Sequence, residues 1–483
     1  MESVKSATIK GFIWKFVQSA GAQVISFVVQ LVLARLLTPD DYGVVAIITI
    51  FTSIAMVFVN VGFSSAVVQK KELSNDDVST LFYVNMFLSV IVYLILFFFA
   101  PTIAKFYKNA TLVLMLRIAS IMVLIGAIYS IPQALITRDL EFKKSSIAYF
   151  IGAIFQGISG IYLAIKGFGS WALIYSSLIN SGICCIIICL QRRWYPKLVF
   201  SKKSFFENVG FSIKIFLTEL FNSIFNNIRS IIIGKQYTSA DLAYYNKGNQ
   251  IPTLIMLLVD GSTTSVLFPA LSKYQDDWDK GLLALRRSMK VSLFVCAPIM
   301  LGLFAVAHPL IVFLLTEKWI ESVQYVQISC IICLFWPLSA QRHALNARGN
   351  SGASLVLNII GKAITLFFIL ITYKHSAQMM VLSTVFSSVL VMIIEAFVYQ
   401  KYLNYKVKQQ IKDVAPIIVI ATVMCALVYP IQFLKANNFV TLLIQGVVGV
   451  NVYLLLSKIC RIDSLDYIID LAKNILNKKF KRC

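Results

Sequence analysis

The stretch LTPDDYG at 37–43 follows an apolar run, and a similar stretch, YTSADLA at 237–243, follows another apolar run. Both stretches have threonine at the second position and aspartate at the fifth. Further along, GFSSAVV at 62–68 aligns with GSTTSVL at 261–267. The offset between the copies is 199 or 200 residues throughout. Several short matches that share one offset indicate an internal duplication.

The composition is that of a membrane protein. The chain has 483 residues, of which 58% are hydrophobic and 14% charged, and its mean hydropathy is +0.79. A membrane-spanning helix needs about 20 apolar residues. Runs of this length predict about fourteen transmembrane helices, at 12–34, 43–66, 81–104, 112–136, 146–165, 169–190, 209–234, 249–271, 290–315, 323–341, 353–373, 378–399, 414–433 and 438–457.

The positive charge is concentrated in alternate connections between the predicted helices. The net charge is +22, and the segments 191–203, 285–290 and 400–412 are strongly basic. Lysine and arginine accumulate in cytoplasmic loops of membrane proteins. The pattern therefore predicts a multi-pass protein with both termini in the cytoplasm, and it argues against nucleic acid as the partner.

The repeat and the helix count together predict the architecture. Six helices separate the two copies, so both copies begin on the same side of the membrane and are related by a pseudo-two-fold axis along the membrane normal. We predict an all-α membrane protein with two six-helix lobes. Its parts are an N-terminal lobe at 1–190, a cytoplasmic linker at 191–208, a C-terminal lobe at 209–400, two additional helices at 401–457 and a cytoplasmic amphipathic basic tail at 458–483.

Predicted helix 7 contains the unusually polar segment TELFNSIFNNIRSIII at 218–233. Successive residues of a helix are rotated by about 100°, which places four polar residues of this segment within an arc of about 80°. They are Glu219, Asn222, Asn226 and Arg229. Ionisable groups in a bilayer cost roughly 2.5–3.5 kcal/mol each, and they normally face a cavity or a partner. The stripe predicts a hydrated cleft.

Other predicted helices also contain polar groups. These are Lys15, Gln23 and Gln30 in helix 1, Arg117 in helix 4, Asp260 in helix 8 and Lys362 in helix 11. An alternative stays open for the charged ones, because Glu219 or Asp260 could pair with Lys362 or Arg229 and act only as structural glue.

Several motifs resemble a known transporter family. They include GFIWKFVQSAGAQVISFVVQLVLARLLTPDDYG (11–43), IPQALITRDLEFKK (131–144) and FNNIRSIIIGKQYTSADLAYYNKGNQIP (225–252). They resemble the polysaccharide transporter branch of the multidrug/oligosaccharidyl-lipid/polysaccharide exporters, in particular the bacterial lipopolysaccharide and colanic-acid type flippases. The resemblance extends from residue 10 to about 400, and Lys362 matches a basic position of the family pattern.

The resemblance implies a flippase of the bacterial inner membrane. Such a protein moves a polyprenyl-diphosphate-linked oligosaccharide, the repeat unit of an O-antigen, capsule or exopolysaccharide, to the outer leaflet by alternating access. We expect a monomer among membrane lipids, with a polysaccharide polymerase or glycosyltransferases as candidate partners. We expect neither a cofactor nor a metal, although Na⁺ or H⁺ could drive transport.

The cleft residues then receive separate roles. Arginine suits a diphosphate because its planar fork binds two phosphate oxygens. Candidates for the diphosphate site are Arg229, Lys362, Arg117 and Lys15. Candidates for hydrogen bonds to sugars are Asn222, Asn226, Gln23 and Gln30. Candidates for ion coupling are Glu219 and Asp260.

Two rival functions remain. A drug or cation exporter of the same fold would need an acidic cleft, whereas mid-membrane bases slightly outnumber acids here. A membrane-embedded polysaccharide polymerase or ligase is the less favoured rival. The chain shows no Ser/His/Asp arrangement or glycine-rich phosphate loop, and the repeat explains DDWD at 276–279 as the copy of Asp76 and Asp77. We therefore predict that the protein is not an enzyme.

Overall fold

A computed structural model of the chain describes a set of residues that covers most of the sequence. These are 25–60, 63–70, 73–273, 277–434 and 437–468, together with 470 and 473. Within them the regular secondary structure is helical and there is no strand. Eleven helical segments there are long and apolar enough to cross a membrane. The prediction of an all-α membrane protein is confirmed.

The chain forms two compact units, the first ending at Ala243 and the second beginning at Tyr244. The described helices of the first unit are α1 (Ile25–Leu36), α2 (Pro39–Asn60), α3 (Phe63–Gln69), α4 (Asn75–Phe106), α5 (Leu112–Ala119), α6 (Ile121–Arg138), α7 (Phe142–Ile165), α8 (Ser170–Arg192) and α9 (Lys202–Gln236).

The second unit begins within the tenth helix, and the first turn of that helix belongs to the first unit. The described helices from there on are α10 (Ser239–Lys273), α11 (Trp278–Leu315), α12 (Ser322–Leu334), α13 (Ala340–Ala347), α14 (Ser351–Thr372), α15 (Ala377–Leu403), α16 (Val407–Val428) and α17 (Asn438–Ile459).

Each of the fourteen predicted spans has a helical counterpart in the described residues. Eleven correspond to the long apolar segments. The other three, predicted helices 1, 7 and 8, correspond to α1, α9 and α10. Several predicted spans are interrupted: helix 4, for example, consists of α5 and α6, which meet at Ser120.

The predicted repeat appears as the same hydrogen-bonded cap at two helix starts. At α2, the Thr38 hydroxyl donates to Asp41 Oδ2 (2.7 Å), and the Asp41 amide donates to the Thr38 hydroxyl (3.2 Å). At α10, Thr238 and Asp241 make the same two bonds at 2.7 and 3.1 Å. The bond from the aspartate amide to the threonine hydroxyl satisfies a backbone donor that a helix start leaves unpaired. The turn chemistry matched in the sequence is therefore also matched in geometry.

A close backbone approach fixes the first turn of α2. A Cβ added to Gly43 would lie 1.9 Å from the carbonyl oxygen of Ser239. No side chain fits at that distance, so residue 43 must be glycine for these two turns to meet as they do.

The basic linker packs along α4. The backbone amides of Lys197 and Ser201 each donate a hydrogen bond of 3.0 Å, to the hydroxyls of Ser79 and Thr80 respectively. Both hydroxyl residues are fully buried. The linker that the sequence places between the lobes, 191–208, is therefore anchored to the first unit.

Helix α9 also packs with the first unit, although the sequence assigns it to the C-terminal lobe. It contacts α2, α3 and α4. At its end, the Lys235 ammonium bonds the carbonyl of Phe106 in α4 and lies 4.2 Å over the ring of that residue. The lobe boundary predicted from the repeat therefore differs from the boundary between compact units, which falls after α9.

The two additional helices pack on α11. The Tyr453 hydroxyl of α17 donates to the carbonyl of Phe294 at 2.9 Å. Pro298 lies four residues beyond Phe294 and has no amide hydrogen, so this carbonyl lacks its usual helical donor. The bond from Tyr453 replaces the missing one and attaches α17 to α11.

The first part of the predicted tail lies against α11 as well. Residues 463–468 are helical. Lys290 pairs with Asp463 at 3.2 Å, and the Arg287 guanidinium lies 3.9 Å over the ring of Tyr467. Most of the predicted basic tail at 458–483 lies beyond the described residues.

Candidate functional site

One face of α9 attaches this helix to α2. The rings of Phe216 and Phe58 pack edge to face with centroids 4.7 Å apart. Asn227 donates its side-chain amide to the Ser53 hydroxyl at 3.4 Å. Near the end of the helix, a Cβ on Gly234 would lie 3.1 Å from a neighbouring tyrosine ring. Phe216, Asn227 and Gly234 are spaced by eleven and seven residues, which places them on one side of the helix.

The polar stripe predicted on α9 lies to the side of this packing face. Glu219 and Asn226 are exposed, and Asn222 and Arg229 are half-buried. Within the described part of the chain, the side chains of Glu219, Asn226 and Arg229 make no hydrogen bond or ion pair. Charged and amide groups left unpaired in lipid cost several kcal/mol each. The stripe is therefore suited to water or to a polar cargo.

The charges at the two ends of the stripe do not neutralise one another. Glu219 and Arg229 are ten residues apart, which is about 15 Å along a helix. The helix therefore presents an anionic group and a cationic group at different depths. A cargo that meets both would contact the guanidinium and the carboxylate at separate points.

Arg117 of α5 has a local structural partner. Its Nε donates to the carbonyl of Phe97 in α4 at 3.1 Å, and its guanidinium lies 4.2 Å over the Phe97 ring. The residue four positions after Phe97 is Pro101, so this carbonyl has no helical amide to accept from. Arg117 donates the missing hydrogen bond to this carbonyl, so the predicted diphosphate ligand has a structural role.

The predicted helix 1 residues are only partly described. Gln30 is half-buried on α1, and its backbone carbonyl accepts the Tyr42 hydroxyl at 3.5 Å. Lys15 and Gln23 precede the described residues. Their proposed roles in holding diphosphate and sugars remain predictions.

Two predicted site residues belong to the second unit. Lys362 is half-buried midway along α14, next to Gly361, where the helix passes Val391 of α15. Asp260 belongs to α10, and its side chain lies outside the described part of the structure. The ion-coupling role of Asp260 therefore stays a prediction.

Two ion-pair clusters in the second unit are not predicted by the sequence. Arg342 of α13 pairs with Glu395 of α15, which also accepts the Tyr399 hydroxyl at 3.1 Å. The predicted span 323–341 ends one residue before Arg342, so the sequence gives no reason to place Arg342 beside Glu395. The spacing of Glu395 and Tyr399, one helical turn, was the available signal.

The second cluster joins α11 to α16. Arg286 makes two hydrogen bonds to the Asp413 carboxylate, at 2.7 and 3.0 Å, and the Tyr405 hydroxyl donates to the same group at 2.7 Å. The paired arginine fork gives this contact fixed geometry. In both clusters the arginine and the carboxylate pair with each other, whereas Glu219 and Arg229 of the α9 stripe form no ion pair with the described residues.

The cysteines do not form a site in the described structure. Cys330 and Cys333 are buried free thiols of α12. Over the described residues, no group of three or more histidine, cysteine or acidic side chains could hold a metal ion.

The chain is similar to curated proteins of bacterial polysaccharide biosynthesis. It is 25% identical over 307 residues to the succinoglycan biosynthesis transport protein ExoT of Rhizobium meliloti, which covers 63% of this chain and 62% of that protein. It is 26% identical over 341 residues to the teichuronic acid biosynthesis protein TuaB of Bacillus subtilis, with 69% of each covered. The match thus spans less than two thirds of the length of the first relative.

A solved structure supports the fold. The lipid II flippase MurJ, in an inward closed conformation, matches with a TM-score of 0.74 at 18% identity, covering 94% of this chain and 99% of that one. At this identity the match establishes the fold alone. A sequence model described as polysaccharide biosynthesis protein also matches residues 32–324.

Proposed function

The chain belongs to the polysaccharide biosynthesis protein family, and from this membership we propose that it is a flippase for a polyprenyl-diphosphate-linked oligosaccharide. The cargo is the repeat unit of an O-antigen, capsule or exopolysaccharide. The protein moves it across the bacterial inner membrane by alternating access. It acts as a monomer with both termini in the cytoplasm, and it catalyses no covalent step.

The polar stripe on α9 is the observation that carries the proposal. A charged, hydroxylated headgroup cannot cross about 30 Å of hydrocarbon without losing its water. Glu219, Asn226 and Arg229 make no hydrogen bond or ion pair with the described residues, so they are available to replace that water. The similar proteins are named for succinoglycan transport and teichuronic acid biosynthesis, and both products are polysaccharides.

Each stripe residue receives a role in this mechanism. The Arg229 guanidinium binds the diphosphate, with Lys362 and Lys15 as further cations. Asn222 and Asn226 donate and accept hydrogen bonds with sugar hydroxyls, as Gln23 and Gln30 do in helix 1. The polyprenyl chain stays in lipid. Arg117 contributes less, because its Nε already serves the Phe97 carbonyl.

Ion coupling would use an acidic group that can change its charge or coordination. Glu219 is exposed on the stripe and is the first candidate, with Asp260 as the second. Binding of H⁺ or Na⁺ at either carboxylate would reduce the negative charge beside an anionic cargo and so favour cargo binding.

The test is a cell from which the gene has been deleted. Lipid-linked repeat units should accumulate in its inner leaflet, and surface polysaccharide should be lost and then restored by the wild-type gene. If the deletion leaves both unchanged and instead makes the cell sensitive to cationic drugs, the rival drug-exporter function replaces the proposal.

A further inference from the structure

A cavity that is open at the surface lies within the first unit, between α3, α6 and α7. Its volume is about 640 Å³, within the roughly 300–1,000 Å³ typical of small-molecule sites. Its lining includes Ser64, Ser65, Gln69, Tyr129, Gln133 and Tyr149. Among the described residues that line the cavity, none is charged.

Part of the cavity wall is held by its own hydrogen bonds. The Ser130 hydroxyl accepts the side-chain amide of Asn85 at 2.7 Å and donates to the carbonyl of Ala127 at 3.1 Å. Asn85 is fully buried behind it. The Thr137 hydroxyl donates to the carbonyl of Gln133 at 3.0 Å. These groups shape the wall and leave little hydrogen-bonding capacity for a ligand.

Two other polar atoms in the lining are unused. Ser64 Oγ and Gln133 Oε1 are buried, and neither has a hydrogen-bond partner in the described structure. Buried polar atoms are nearly always paired, because leaving them unpaired is costly. The two atoms belong to residues of different helices, α3 and α6, that line the same cavity. A ligand with hydroxyl groups would satisfy both once the two side chains turn toward the cavity.

The chemistry of the lining selects an uncharged ligand. Hydroxyls and carboxamides both donate and accept hydrogen bonds, which matches the hydroxyls of a sugar. A diphosphate would instead require lysine or arginine. The rings of Tyr129 and Tyr149 offer apolar faces with polar tips, against which the C–H face of a sugar ring can pack.

The cavity lies beside a basic connection of the predicted cytoplasmic side. Its lining residues Gln69 and Thr137 directly precede Lys70 and Arg138. Arg138 ties these two ends together by donating to the carbonyls of Val67 and Lys70. Under the predicted topology, a cargo arriving from the inner leaflet would meet this cavity early.

We propose that this cavity binds an uncharged sugar of the lipid-linked oligosaccharide, with Ser64 and Gln133 as hydrogen-bonding residues. The proposal rests on the flippase function proposed above and adds a sugar site that is separate from the α9 stripe. It divides recognition of the cargo, since the stripe binds the diphosphate and nearby sugar hydroxyls, and this cavity binds a further sugar.

The test uses the purified full chain in nanodiscs. The probes are the lipid-linked oligosaccharide that accumulates in deletion cells and bare undecaprenyl diphosphate. Gln133→Leu and Ser64→Ala should each weaken binding of the oligosaccharide lipid about 10-fold, as expected for one lost hydrogen bond, and leave binding of the bare diphosphate unchanged. Ser65→Leu, which narrows the cavity, should do the same. The matched control is Gln156→Leu, on α7 and outside the cavity lining.

The outcomes separate this proposal from the function on which it rests. If deletion cells accumulate no lipid-linked oligosaccharide, the flippase function itself fails. If they do, and the three cavity variants bind it as the wild type does, the sugar site is refuted while the flippase function stands. If the three variants also lose affinity for bare undecaprenyl diphosphate, the sugar site is again refuted, since the cavity would then bind the diphosphate. Equal thermal unfolding temperatures for the variants and Gln156→Leu exclude misfolding as the cause.

Discussion

Arg117 donates its Nε hydrogen to the carbonyl of Phe97 at 3.1 Å, the carbonyl that Pro101 leaves without a helical partner. Removing the arginine should therefore lower stability. We expect Arg117→Ala to reduce the free energy of unfolding by about 1 kcal/mol, because hydrogen bonds between membrane helices contribute roughly 0.6–1.7 kcal/mol. In a Pro101→Ala background the loss should shrink, since residue 101 then supplies the amide. Thermal unfolding of the four proteins in detergent measures this. Equal losses in both backgrounds would contradict the assigned role.

Glu395 depends on Arg342 as its charge partner. The carboxylate side chain is only 10% exposed, so Arg342→Met would leave a buried charge without its partner. Such losses cost about 3–5 kcal/mol, and the partial exposure of Arg342 favours about 3 kcal/mol. The double variant with Glu395→Leu should recover most of this stability. If the double variant is as unstable as Arg342→Met alone, the ion pair is not the cause.

Gly43 cannot be replaced without moving a backbone. Gly43→Ala would place its Cβ against the carbonyl oxygen of Ser239, and relief requires the first turn of α10 to shift. We expect at least a 5-fold drop in folded protein or in surface polysaccharide. Gly182→Ala in α8 is the control, because a Cβ there meets nothing within 4 Å. Normal behaviour of Gly43→Ala would mean that the two turns do not meet in the cell.

Arg229 should matter for transport and not for folding. It makes no hydrogen bond or ion pair in the described structure, so Arg229→Ala should leave the protein level unchanged and reduce surface polysaccharide more than 10-fold. The matched control is Lys214→Ala, an exposed residue near the predicted cytoplasmic end of the same helix. Immunoblots and polysaccharide staining report the two quantities. Wild-type polysaccharide in Arg229→Ala would remove Arg229 from the cargo site.

The orientation of the repeats can be tested with reporters. Because six helices separate the copies, a periplasmic reporter fused near residue 240 should be active, and one fused near 275 should be inactive. Cytoplasmic reporters at the same positions should give the opposite result. A periplasmic reporter that is inactive near residue 240 and active near 275 would overturn the assignment of both termini to the cytoplasm.

The sequence predicted the features that depend on local pattern. The fourteen helices followed from apolar length, and the repeat matched Thr38 with Thr238 and Asp41 with Asp241, the residues that form the same cap in both copies. The match of residues 32–324 to a polysaccharide biosynthesis family agrees with the quoted motifs. The apolar runs and the motifs are patterns along the chain itself, so a single sequence is enough to find them.

Features that depend on packing between helices were not predictable. The Phe97 carbonyl accepts from Arg117 because Pro101, which lies in α4 and not in the helix of Arg117, supplies no amide hydrogen. Arg342 meets Glu395 across 53 residues of sequence. The cavity with Gln133 and Ser64 is assembled from three helices that are distant in the sequence. Hydropathy indicates which segments can cross a membrane, and it does not indicate which neighbour a residue faces.

The most direct test of the flippase function uses the purified protein in liposomes. Lipid-linked oligosaccharide from deletion cells is placed in both leaflets, and an external glycosidase reports how much of it is accessible. With the wild-type protein, the enzyme should reach nearly all of the oligosaccharide, since the inner pool is moved outward. Vesicles without protein, or with Arg229→Ala, should protect about half. Protection of half the oligosaccharide by vesicles with the wild-type protein would contradict the proposal that this chain moves lipid-linked sugars across a membrane.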